Sequence, residues 1–60
     1  MNFKAKNQEG EYFVEWPTYG SPIFSKDITE GITLSESGVN NLIGILDEEN
    51  LAICEKVVVL

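Results

Sequence analysis

Residues 33–50 read TLSESGVNNLIGILDEEN, and their spacing decides the fold. Val39, Leu42, Ile43 and Leu46 fall at i, i+3, i+4 and i+7, the stripe a helix turns toward a core. Thr33-Leu34-Ser35-Glu36 fits a capping box, in which the Thr33 hydroxyl serves one orphan amide and Glu36 reaches back to the Thr33 N–H; Ser35 is a competing cap. Asp47, Glu48 and Glu49 are poorly placed by the helix dipole, which disfavours anions near a C-terminus, so the helix is expected to finish near Leu46. Its outward side carries Ser37, Asn40, Asn41 and Gly44, with Gly38 and Ile45 on one flank, and is neither charged nor strongly apolar. Each interior glycine costs about 1 kcal/mol relative to alanine. Glycine lets another backbone approach, and asparagine offers hydrogen bonds without the penalty of desolvating a charge. Asn41 and Ile45 therefore mark a candidate contact surface.

Upstream, NFKAK alternates, with Phe3 and Ala5 on one face and Asn2, Lys4 and Lys6 on the other, the period of a half-buried strand. NQEG at 7–10 reads as a turn, and EYFVEW follows with Tyr12, Val14 and Trp16 opposed to Glu11, Phe13 and Glu15, completing a hairpin. Pro17, Gly20 and Pro22 mark a loop, and Ile23 to Ile28 is a candidate third strand. Downstream, LAICEKVVVL is rich in β-branched residues and reads as a final strand. A strand ending in three valines and a leucine is a hazard at an open edge, so a central position in the sheet is preferred to pairing across a subunit boundary. The order is β-β-(β)-α-β: a single α+β domain over residues 1–60, in which one helix covers one face of a three- to four-stranded antiparallel sheet.

Sixty residues without a disulfide have little stability in reserve, because so short a chain buries only about 60% of the surface its unfolded form exposes. Cys54 is the only cysteine and there is no histidine, which argues against a structural zinc site. Oligomerisation remains as a source of stability. The expectation is a two-fold symmetric homodimer, paired through the Gly38, Asn41, Ile45 flank or through the strand Val57 to Leu60. The free thiol, the lack of a secretory signal pattern and the lack of any apolar run near 20 residues lead to the expectation of a soluble, cytoplasmic protein.

Ten acidic residues face four lysines and no arginine, for a formal charge of −6. Direct nucleic-acid binding and adhesion to an anionic membrane are both disfavoured, since each needs clustered positive charge. Surplus carboxylates can attract a basic partner, including an enzyme whose own surface receives DNA or RNA, although a charge of this size also serves solubility alone. Catalysis is poorly provided for. Cys54 has no nearby base in the sequence, Ser35 and Ser37 belong to the helix start, and DEEN lacks the spacing of a calcium loop. GITLSESG is not a phosphate cradle. The chain reads as a non-enzymatic module without cofactor or metal.

A second candidate surface is the loop WPTYGSPIF, where Trp16, Tyr19 and Phe24 are separated by residues that limit backbone freedom. Trp16 is expected to be buried. Tyr19 at the loop tip is the better contact residue, since tyrosine is enriched at interface hot spots. The candidate partner-binding residues are thus Tyr19, Phe24, Glu36, Asn41, Ile45, Asp47, Glu48 and Glu49.

The run Gly31 to Glu36, GITLSE, together with the helix and apolar strand that follow it, is similar to the small dimeric inhibitors of uracil-DNA glycosylase made by bacterial viruses. That resemblance implies pairing through helix and sheet, carboxylates that imitate a DNA backbone, and an apolar pocket at the dimer junction. Family members line the pocket with helix aromatics. This helix has none, so Val39, Leu42 and Ile45 would take their place. The functional expectation is an acidic, phage- or mobile-element-encoded inhibitor of a host DNA-handling enzyme such as uracil-DNA glycosylase. The alternative is an assembly or adaptor module that binds through the apolar helix flank and aromatic loop.

Overall fold

The computed structural model describes residues 1–59; Leu60, assigned by its pattern to the last strand, lies outside the described residues. The elements are β1 (Asn2–Asn7), β2 (Tyr12–Glu15), β3 (Ile23–Ser25), a 3-10 turn (Ile28–Glu30), α1 (Glu36–Glu48) and β4 (Cys54–Val59). The strands form one antiparallel sheet in the order β3-β2-β1-β4, and α1 packs across β1 and β4. This is the α+β architecture, one helix over a four-stranded sheet, that the periodicities predict. The third strand is shorter than the expected 23–28, because Ser25 and Asp27 turn the chain: the Asp27 amide donates to the Ser25 hydroxyl, and Asp27 accepts from the Thr29 amide at 2.9 Å.

The helix stripe behaves as its spacing requires. Val39 and Leu46 are fully buried, and Leu42 and Ile43 are half-buried against a cluster of Phe3, Ala5 and Phe13. The start differs from the capping box at Thr33. Leu34 exchanges both backbone hydrogen bonds with Phe3, at 2.9 and 2.8 Å, so it cannot belong to a helix; Ser35 is the cap and accepts from the Gly38 amide at 3.1 Å. The end differs too. The helix runs two residues past Leu46 to Glu48 and closes in a Schellman motif: Leu51 N–H donates to the Leu46 carbonyl, Asn50 N–H to the Asp47 carbonyl, and Asn50 takes a φ of 57°. Satisfying those carbonyls outweighs an exposed dipole effect of about 0.3–1 kcal/mol per charge.

Two further expectations are corrected. Trp16, expected to be buried, is half-buried, and the β2 side chain buried in the core is Phe13 on the opposed face of the alternation. Phe13 pairs with Phe24 and Glu15 with Ile23, so Val14 is the extra residue of a bulge; beyond it the alternation flips, and Trp16 packs on the same cluster as Phe13. The last strand is an edge strand, not a central one. β1 takes the centre because the hairpin fills one of its sides with β2 and the chain returning from α1 fills the other with β4.

Between β1 and β2 the sheet is split. The strands pair at Lys6 and Tyr12, then separate to admit residues 31–34, with Ile32 N–H donating to the Phe13 carbonyl and Leu34 bridging Phe3. Gly31 is buried there, and a Cβ on it would lie 2.8 Å from the Tyr12 Cβ. On this side of the sheet Lys4, expected to be among the outward residues, is only 7% exposed and donates its ammonium to the Gly31 carbonyl.

Candidate acidic interface

The hairpin turn between β1 and β2 is built on Asn7. Its Oδ1 accepts from the Glu9 and Glu11 amides at 3.1 and 2.9 Å, its Nδ2 donates to the Glu11 carboxylate at 3.2 Å, and Gly10 supplies the positive φ of 80°. The turn thereby fixes where Glu11 points. Across from it lies the helix end, held by the Schellman motif. Between the two runs an open groove lined by Asn7, Glu9, Glu11, Phe24, Asp47 and the segment 50–53. An adjoining groove, shared between Lys6, Glu9, Ile53, Cys54 and Glu55, continues around the hairpin. Lys6 is the only basic residue lining either groove, and its ammonium sits 5.9 Å from the Tyr12 ring centre. Leu51 is exposed and Ile53 is 60% exposed, so apolar surface lies among the carboxylates.

Among the described residues the one ion pair is Lys56 to Glu36, 3.0 Å apart and largely exposed. The carboxylates of Glu9, Glu11, Asp47, Glu48, Glu49 and Glu55 therefore have no cationic partner within ion-pairing distance. The Cys54 thiol is pushed above its ordinary range, first by burial and then by the Glu9 carboxylate, which keeps it protonated near neutrality. Asp27, the cap of the 3-10 turn, is held below the usual carboxylate range by hydrogen bonds from the Thr29 hydroxyl and amide. No group of three or more cysteine and carboxylate side chains among the described residues is arranged to hold a metal ion. No helix there is long and apolar enough to cross a membrane.

The groove brings together two of the residues singled out in the sequence, Phe24 and Asp47. Phe24 also packs edge-to-face on Phe13, with ring centres 5.9 Å apart, so it is shared with the core. Glu48 and Glu49 are exposed beside the helix end, and Asn41 and Ile45 are exposed on the helix itself. Ile45 falls on the flank opposite Glu36, whose carboxylate reaches toward β4 through Lys56. Tyr19 stands alone at its loop tip, 93% exposed. Val39 is consumed by the core, leaving only Leu42 and Ile45 of the three expected pocket residues with any exposed surface. Glu9, Glu11, Leu51 and Ile53 were not among the sequence candidates. The Asn-Gln-Glu-Gly turn was legible, but its approach to residues 47–53 is a long-range contact with no local signature. No protein-family model, curated protein or solved structure matches the chain.

Proposed function

We propose that the chain is a non-enzymatic protein-binding module that acts in the cytoplasm as a homodimer and places its acidic end on a basic, nucleic-acid-binding surface of a partner enzyme. An inhibitor of a DNA-handling enzyme such as uracil-DNA glycosylase, encoded by a phage or mobile element, fits this description. The observation that carries the reading is the acidic pole: Glu9, Glu11 and Asp47 line one groove, Glu55 lines the next, and exposed Leu51 and Ile53 lie between them. Carboxylates kept for solubility alone have no reason to surround apolar surface, whereas an interface combines an apolar centre with a polar rim. The test is inhibition of uracil-DNA glycosylase on a DNA substrate at rising ionic strength. Inhibition is expected at low salt, declining as salt screens the contact, and weakened at least about tenfold in Glu9→Gln/Glu11→Gln/Asp47→Asn. No inhibition at low salt removes this target, and inhibition indifferent to salt removes the electrostatic mechanism.

A second reading, an adaptor module, is favoured by the 93% exposure of Tyr19 on a loop bounded by Pro17 and Pro22. It requires that Tyr19→Ala weaken partner binding while the charge-neutralised variant binds unchanged.

A further inference from the structure

The segment that splits the sheet changes partner within two residues. Leu34 gives both of its backbone hydrogen bonds to Phe3 on β1, whereas the Ile32 N–H goes the other way, to the Phe13 carbonyl on β2. In a regular strand, residues two apart bond the same neighbour, so the chain is turned at the exposed Thr33 between them. The Ile32 N–H shares its peptide with the Gly31 C=O, and in a trans peptide the two point in opposite directions. With the N–H aimed at β2, the carbonyl looks toward β1, and its donor there is a side chain, the Lys4 ammonium. Lys4 is buried, and its Cδ lies 3.4 Å from where a Cβ on Gly31 would stand. Among the described residues no carboxylate is within ion-pairing distance of it. A buried ammonium without a carboxylate is a costly way to serve one carbonyl, so its place calls for a reason other than stability.

We propose that Lys4 is a pin that holds this fork open and so selects one strand register over another. A simpler pairing is available to the same residues. Continuing the antiparallel ladder from Phe3↔Leu34 along β1 would set Ile32 opposite Ala5 and Gly31 opposite Lys6. The apolar pattern permits it, because Ile32 opposite Ala5 would keep its side chain on the helix-covered face, where Ile32 and Leu34 already pack. Lys6, however, is where Tyr12 pairs to close the hairpin between β1 and β2. A segment zipped onto β1 would push β2 away and pull apart the hairpin whose turn carries Glu9 and Glu11. In that arrangement the peptide between Gly31 and Ile32 is reversed, its carbonyl turned away from β1, and the bond from Lys4 is lost. The ammonium thus stabilises the fork alone, which is the differential contact that a choice between two states requires. Setting register at some cost in stability is the best-attested use of a buried polar group. The pin belongs to the fold and stands whatever the acidic groove binds.

The experiment is two-dimensional NMR of the backbone amides in the wild type and in Lys4→Met, which keeps an unbranched apolar stem and removes the ammonium. The wild type is expected to give one set of signals, with nuclear Overhauser contacts between Ile32 and Phe13. In Lys4→Met the amides of Tyr12, Phe13 and Ile32 are expected to double or broaden selectively, the second set exceeding about 10% of the total, the upper end of an ordinary minor state, and showing contacts from Ile32 to Ala5. The ladder between β1 and β4 should keep a single set. A lysine that served stability alone would lower the urea midpoint and leave every signal single, so one set of signals with the wild-type contacts overturns the proposal whatever the midpoint. Should Lys4→Met fail to fold, the wild type decides. Across a urea series below the unfolding transition, labelling of Lys4 by acetic anhydride, read by mass spectrometry, should rise in step with hydrogen exchange of the Ile32 amide, because the fork opens only when the pin lets go. Exchange at Ile32 while Lys4 stays unlabelled overturns the pin.

Discussion

Phe3 and Lys4 are neighbours on β1 and almost equally buried, yet the two faces of the strand are closed by different materials. Phe3 and Ala5 lie under side chains, the stripe of α1 and the aromatic pair Phe13 and Phe24. Lys4 lies under main chain, the segment around Gly31 that slips between the splayed strands and accepts the lysine ammonium on its carbonyl. A side-chain lid leaves a periodic apolar signature. A main-chain lid leaves none, only a glycine whose necessity appears once the neighbouring strand is in place.

The comparison can be broken most strongly on the helix side. Leu46→Ala removes a fully buried side chain and is expected to cost about 2–5 kcal/mol in urea denaturation, the range for such cavities. A loss well below this would mean that α1 rides loosely on the sheet. On the other face, Gly31→Ala is expected to cost about 1–3 kcal/mol, because the new methyl meets the Tyr12 Cβ at 2.8 Å and that atom cannot swing away. The backbone at Gly31, with a φ of −66°, suits alanine, so the whole loss would report the contact. A neutral Gly31→Ala would show that the main-chain lid is not closely packed. The smallest effect has the opposite sign. Gly44 on the exposed helix surface has nothing within 4 Å of an added Cβ, and Gly44→Ala is expected to stabilise by about 1 kcal/mol in the same titration.

The contrast also explains which parts of the fold could be read in advance. Val39, Leu42, Ile43 and Leu46 announced the helix because their burial is periodic along one element. The start at Ser35 was ambiguous because the backbone bridge from Leu34 to Phe3, which forbids a cap at Thr33, joins positions far apart in the chain. Val57, Val58 and Val59 were misplaced to the centre of the sheet for a related reason: apolar side chains report on the faces of a strand, and whether its edges are hydrogen-bonded is a separate matter. Trp16 reached the core by way of a bulge at Val14 that alternation could not foresee. Of the candidate site, Asp47 and Phe24 were legible as residues, but their meeting with Glu9 and Glu11 depends on two turns closing on each other.

The ladder between Asn2–Asn7 and Cys54–Val59 joins the two ends of the described chain, and β1 collects its remaining bonds from β2 and from residue 34. Nearly every stretch therefore has to be in place before the central strand is satisfied. Such a topology has high contact order, in which the entropy of closing long loops is spent before the contacts that offset it are made. The folding of so small a molecule is then slow for its size and all-or-none: no fragment that omits either terminal strand retains a complete sheet, and partial unfolding of one end is felt at once by the other.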